Sequence, residues 1–203
     1  ECDFLSNPEQ LEKGMEYIHK THQIPISYEA KIFDDFDEGK KLMRVASATK
    51  GNLFEEFREI IDKVEMIDNF VKKEQEEHGI GLVISHNDVY EPNYIVNAHD
   101  EMYLIDWEYA GINDPLNDIS CIIVRYDYSE EIRENLLKAY FGRELTELEH
   151  RHAMGQAILC SFYWFCWGLY KGSVGDDDGF FFLPSFRYLI SHIDDVLEMY
   201  KKD

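Results

Sequence analysis

Apolar positions recur along most of this chain at three- and four-residue intervals, the repeat of an amphipathic helix. Leu11, Met15 and Ile18 form the first stripe, in a helix expected over 7–22. Ser6 and Glu9 have the spacing of a capping box for it, with Pro8 tolerated in the first turn. Residues 28–47 form a second, weaker candidate. A longer helix opens at Asn52 with Glu55, carries Phe57, Ile61, Val64, Met66/Ile67 and Phe70/Val71 along one side, and closes near Gly79.

The pattern then changes. Leu82-Val83-Ile84 is a short apolar run, and 93–97 and 102–106 are two more, separated by Ala98-His99-Asp100-Glu101. Two short runs around a polar four-residue turn predict a β-hairpin. Helical spacing returns at 115–125 and at 129–141, the latter ending on Gly142. A long helix from Thr146, with Glu149 completing a capping box, runs to about residue 171, and a last one covers about 184–201. Residues 172–179, with Asp176-Asp177-Asp178, read as a solvated loop, and Asp34-Asp35 and Asp37-Glu38 as solvated faces. No repeat or low-complexity linker divides the chain, so a single domain over 1–203 is expected. Its class is α+β, mostly α, with helices around a small central hairpin.

Composition narrows what such a domain does. Of the 203 residues 45% are apolar, enough for a packed core. Asp and Glu number 41 against 20 Lys and Arg, a formal charge of −21. That excludes a phosphate-backbone binder, so no nucleic-acid partner is expected, and it suits metal ions and cationic small molecules. No apolar run reaches the ~20 residues of a membrane span, so no membrane insertion is expected. Cys2, Cys121, Cys160 and Cys166 show no CxxC spacing, which reads as reduced thiols in a cytoplasmic protein.

Candidate chemistry concentrates in Ser85-His86-Asn87-Asp88-Val89-Tyr90-Glu91-Pro92-Asn93 and in Leu104-Ile105-Asp106-Trp107-Glu108. The hairpin brings Asp106, at the end of its second strand, back beside Asn93 at the start of the first. An amide oxygen and a carboxylate meeting there make a hard-oxygen site suited to Mg2+. Asp88, at the other end of the loop, is placed to take a proton from an attacking hydroxyl. Base, metal-binding Asn five residues on and second metal-binding Asp are the parts of a phosphoryl-transfer site. Ser85 and His86 are neighbours on a strand and face opposite ways, so they do not form a nucleophile and base. A zinc site lacks its second and third ligands. His86 reads as structural support beneath the loop. The chain contains neither GxGxxG nor GxxxxGK[ST].

His86-Asn87-Asp88, Asn93, the run Leu104-Ile105-Asp106-Trp107-Glu108-Tyr109-Ala110-Gly111, and Asn113 with Asp118 together resemble the choline/ethanolamine kinase family. The likeness is strongest to bacterial choline kinases, within the aminoglycoside-phosphotransferase and protein-kinase-like fold. The resemblance implies ATP as co-substrate, Asp88 as catalytic base, Mg2+ on Asn93 and Asp106, and Glu108 supporting the metal and substrate region. It further implies Asp118 bracing the catalytic loop and Ile95 and Ile105 under the nucleotide. It covers essentially the whole chain but only the C-terminal lobe of the family. Helix 7–22 resembles the first helix after the inter-lobe hinge, so the resemblance implies that the family's N-terminal lobe, with its phosphate-covering loop and Lys, is not in this sequence. Weak turnover by this chain alone is expected on that basis.

A quaternary ammonium donates no hydrogen bonds, so aromatic faces and carboxylates must hold it. Trp164 and Trp167 lie three apart on the expected long helix, within an almost wholly aromatic stretch that by spacing alone reads as core. The resemblance places such a Trp pair in the choline pocket. Tyr126 or Tyr128, and Phe180 from the triplet 180–182, are further candidate walls, although core packing suits the triplet better. Ethanolamine, another amino alcohol or an aminoglycoside are rival acceptors. A non-catalytic choline-binding or interaction fragment is the alternative from a different class.

Overall fold

A computed structural model describes residues 2–4, 6–26, 30–126, 129–176 and 179–201, the side chains of 126 and 179–182 excepted. Eight helices and four short strands are found among them: α1 (Pro8–His22), α2 (Asp35–Lys50), α3 (Leu53–Glu56), α4 (Arg58–His78), β1 (Val83–Ser85), β2 (Tyr94–Val96), β3 (Met102–Leu104), β4 (Gly111–Asn113), α5 (Pro115–Tyr126), α6 (Glu130–Phe141), α7 (Glu147–Ser173) and α8 (Gly179–Lys201).

Several helix ends follow from local chemistry. Thr146 and Glu149 make the reciprocal capping box at the start of α7. Gly79 and Gly142 end α4 and α6 in the left-handed conformation, each at φ 66°, where a side chain is disfavoured. Other boundaries depart from expectation. Asn7, not Ser6, caps α1 by accepting the Gln10 N–H, while the Ser6 N–H is taken by Asp3 Oδ1. The helix expected over 28–47 begins only at Asp35, because Phe33 N–H bonds the Ile112 carbonyl and Ile112 N–H bonds that of Lys31. Asp34 then caps α2 by accepting the Asp37 N–H. Asp35 is not part of a solvated face: it is buried and accepts from Asn113 Nδ2 at 2.9 Å. The helix opening at Asn52 breaks at Phe57 into α3 and α4. The last helix begins at Gly179 and contains Pro184, which costs it one backbone hydrogen bond.

The strands form two separate antiparallel pairs. β2 and β3 are the expected hairpin, with Tyr94 opposite Leu104, Ile95 opposite Tyr103 and Val96 opposite Met102. They are shorter than 93–97 and 102–106, so Asn93 lies in a 3-10 turn before β2 and Asp106 follows β3. β1 pairs with β4, Ser85 opposite Gly111, which closes the ring of chain around the loop 86–93.

The core is built on α7, whose residues 152–166 are all buried. It packs against α2, α4, α5 and α8. Phe162 and Phe165 are fully buried, as are Ile122 on α5 and Leu189 on α8, and each such side chain contributes about 1.5–3 kcal/mol. At Gly155 a Cβ would stand 2.8 Å from Val71 Cγ2 of α4 and collide with the Tyr200 hydroxyl of α8, so three helices meet there only because the residue is Gly.

A buried polar cluster ties the same helices together. His152 Nδ1 lies 2.8 Å from Glu74 Oε2 and its Nε2 lies 2.8 Å from Asp114 Oδ2. Both ring nitrogens face carboxylate oxygens, so both donate, and only the imidazolium does that. Burial alone would lower the His152 pKa, but the hydrogen bonds and charges of Asp114 and Glu74 raise it to about 9. Arg151 Nε also donates to Glu74, and Gln75 Nε2 to Asp114.

Candidate active site

The loop after β1 is shaped by one buried carboxylate. Asp118, in the first turn of α5, accepts the His86 N–H on Oδ2 at 3.1 Å and the Asn87 N–H on Oδ1 at 2.7 Å. His22 Nε2 of α1 lies 3.0 Å from the same Oδ2. Asn87 takes φ 65°, a conformation Asn tolerates better than most residues. Its amide is fully engaged: Nδ2 donates to the Tyr109 carbonyl, and Oδ1 accepts from Asn113 and Asn117. His86 Nε2 lies 2.8 Å from the Ile105 carbonyl, so the ring donates there and Nδ1 accepts the Asp88 N–H at 3.3 Å. His86 thereby links the loop to the end of the hairpin.

This scaffold turns Asp88 inward. Asn93 Nδ2 donates to the Asp88 carbonyl at 2.8 Å and to its Oδ2 at 3.3 Å, which orients the amide so that Asn93 Oδ1 faces away from Asp88. Arg125 Nη2 stands 3.3 Å from Asp88 Oδ1. Burial pushes the Asp88 carboxyl up to about 7; Arg125 and the Asn93 amide pull it down, while the charges of Asp106 and Glu108 push it further up. That last effect puts Asp106 and Glu108 on the same side of the molecule as Asp88. Both are exposed, and Asp106 takes φ 66° just past β3.

Two hard oxygens, from Asn93 and Asp106, are too few for a resident metal site, and among the described residues no three His, Cys, Asp or Glu side chains group as ligands. They do fit Mg2+ arriving with a nucleotide, since that ion is held by one or two carboxylates together with phosphates and water. Ile95 of β2 and Ile105, just past β3, are 48% and 39% exposed, apolar surface open to a flat ligand.

An aromatic wall is linked to Asp88 through Arg125. Trp164 and Trp167 meet edge to face with centroids 5.6 Å apart. Tyr109 completes the corner, its ring 5.5 Å from that of Trp164 and its hydroxyl accepting from Trp167 Nε1 at 3.0 Å. Trp164 is buried and Trp167 half-buried. The Arg125 guanidinium lies over Tyr90 at 4.3 Å and over Trp164 at 5.5 Å. Tyr128 lies outside the described residues, and the side chains of Tyr126 and Phe180 lie outside the described side chains.

Three residues here were not among those expected from sequence: Tyr90, Tyr109 and Arg125. Tyr90 sits inside the loop between Asp88 and Asn93, and Tyr109 inside the motif run. Arg125 is a lone charge in an otherwise apolar run of α5. It is one face of α5 with Asp118 and Cys121, and Cys121 Sγ also reaches this loop, 3.4 Å from the Asn87 carbonyl.

Comparison with known proteins bears on the family and the fold. The sequence profile of the choline/ethanolamine kinase family matches residues 1–140. Protein LicA of Haemophilus influenzae is 29% identical over 154 residues, 73% of this chain and 43% of its own. A second LicA, from strain Rd of the same species, is 28% identical over 55% of its length, so the chain spans about half the length of the curated relatives it matches. Among solved structures, a choline/ethanolamine kinase family protein from Mesorhizobium loti superposes with TM-score 0.73 at 22% identity, covering 96% of this chain and 64% of that one. LicA in complex with AMP superposes with TM-score 0.76 at 20% identity, covering 96% and 65%. Spectinomycin phosphotransferase shares the fold more distantly, with TM-score 0.50. With its profile matched over most of its length and its fold shared by these kinases, the chain belongs to the choline/ethanolamine kinase family.

Proposed function

We propose that this chain is the catalytic, C-terminal lobe of an ATP-dependent kinase that transfers the γ-phosphoryl group to the hydroxyl of choline. The observation that carries the reading is the gathering of Asn93, Asp106 and Glu108 around a buried Asp88 whose carboxyl is raised to about 7. Burial and the neighbouring carboxylates make Asp88 a stronger base than a free carboxylate, which suits it to take a proton from an alcohol. Asp88 takes the hydroxyl proton of the acceptor, and Asn93 keeps the carboxylate turned toward it. Asn93 Oδ1 and Asp106 would hold Mg2+, which when bound neutralises charge on the phosphates. Glu108 adds negative charge at the same mouth, and Ile95 and Ile105 offer an apolar floor to the adenine. Trp164, Trp167 and Tyr109 supply the ring faces that a methylated ammonium needs, each worth about 0.5–2 kcal/mol.

The share of the solved relatives that the chain covers supports its equivalence to one lobe of them. Among the described residues no helix is long and apolar enough to cross a membrane. All four cysteines are free and buried, which agrees with a reducing, cytoplasmic setting. The test is phosphocholine formation by the full coding product, followed by phosphorus NMR. D88N should lower kcat at least a hundredfold with KM for ATP little changed. Turnover of D88N within threefold of the unsubstituted enzyme refutes the role of Asp88, and ethanolamine preferred over choline refutes the acceptor.

A further inference from the structure

Arg125 is the feature that this chemistry leaves unused. It is the one charged side chain in the run Ile119–Tyr126, and it is buried: its side chain is 5% exposed and that of Asp88 10%. Its partners include the Asp88 carboxylate, the face of Tyr90 and the face of Trp164. A carboxylate and two ring faces are the groups that recognise a cationic alcohol. The acceptor side of the site therefore already contains a cation, and a guanidinium stays charged at every working pH.

Two cations do not share one carboxylate and one ring face without mutual repulsion, which is strong where water is excluded. We propose that Arg125 is a specificity-determining residue: an internal cation that competes with the acceptor's ammonium group for Asp88 and the face of Trp164. This rests on the acceptor reading above. A quaternary ammonium enters only as the guanidinium swings off Trp164 and Asp88, and its affinity is what remains after that exchange. An uncharged alcohol of the same shape presents the same hydroxyl to Asp88 but brings no second positive charge against the guanidinium. Arg125 thus narrows the preference for a cation over its neutral isostere, which the aromatic wall and Asp88 would otherwise make large.

The experiment is calorimetric binding of choline and of 3,3-dimethylbutan-1-ol, its uncharged isostere, to the unsubstituted chain and to R125Q and R125K. Circular dichroism establishes that each variant is folded. R125Q should bind choline on the order of tenfold more tightly and change the isostere by less than about threefold. R125K, which keeps the charge without the planar fork, should keep a choline-to-isostere ratio near that of the unsubstituted chain. Equal gains for both ligands in R125Q mean that Arg125 only fills space, and weaker choline binding means that it assists the cation; either overturns the inference while the acceptor reading stands. Choline bound by none of the three folded proteins overturns the acceptor reading and the inference together.

Discussion

Removal of the Asp118 carboxylate should unseat the loop that carries Asp88. In D118A the N–H groups of His86 and Asn87, both residues essentially inaccessible, lose the acceptors they meet at 3.1 and 2.7 Å, and His22 loses its partner at 3.0 Å. A hydrogen bond to a charged group is worth about 1.5–3 kcal/mol, and a buried donor left unmade costs about 1–3 kcal/mol. Two orphaned backbone donors, partly relieved by water entering the space, give an expected loss of about 4 kcal/mol. That is a large share of the 5–15 kcal/mol typical of a domain. Asn87, at φ 65°, is the residue most dependent on this support. Urea unfolding followed by circular dichroism measures the global loss, and amide hydrogen exchange at residues 86–88 measures the local one. D118N keeps one acceptor oxygen and should lose about half as much. A loss below 1 kcal/mol in D118A, with exchange at Asn87 unaltered, would refute the bracing of the loop by Asp118.

Other expectations concern pH and the buried cluster. Burial raises the Asp35 carboxyl to about 7 from 3.8, against the pull of its hydrogen bond from Asn113, so the folded protein holds this proton where the unfolded chain has lost it. Its contribution to stability is therefore fully present below the unfolded pKa and declines as pH rises through about 7, and D35N, which keeps an acceptor for Asn113, should match the unsubstituted protein at pH 4 and exceed it by about 1–3 kcal/mol at pH 8. A D35N protein less stable than the parent at pH 8 in urea titration contradicts that sign. His152 works in the same sense at higher pH: its pKa is raised to about 9, so its contribution is complete below its unfolded value and vanishes as pH climbs through 9. H152A leaves Glu74 and Asp114 facing each other in the core and should cost about 3–5 kcal/mol at pH 6, with the deficit shrinking by pH 9.5. A deficit independent of pH in thermal melts would show that the imidazolium is not what binds the two carboxylates.

Elements decided by neighbours in sequence could be read from sequence. The capping box at Thr146 and Glu149 and the left-handed glycines 79 and 142 act within one turn, and the structure has them where the spacing put them. The start of α2 was misread because the residues before it are held extended by Ile112, far along the chain, and no local pattern carries that information. β4 went unnoticed for a related reason: Gly111-Ile112-Asn113 is three residues long and is a strand only because β1 lies beside it. At α8 the signal itself misled, since Pro184 is as acceptable at a helix start as it is costly inside one, yet the helix begins upstream of it. At the site, the spacing of Asp88, Asn93 and Asp106 was legible because loop and hairpin chemistry are local. Arg125 was passed over because a lone charge on an apolar helix shows its meaning only once α5 is laid against the loop.

The placement of Trp164 and Trp167 on α7 bears on how a relative of this protein could change its diet. The helix that presents the aromatic wall is also the mast of the hydrophobic interior, buried on every side from residue 152 to 166. A resized ring at Trp164 would push on Tyr109, Tyr163 and Trp167, so altering the wall disturbs the mast that carries it. Tyr90, in the loop between β1 and β2, borders the same space and is only half-buried. Change in this corner is thereby channelled away from the tryptophans and onto loop residues such as Tyr90, which can vary while the fold survives.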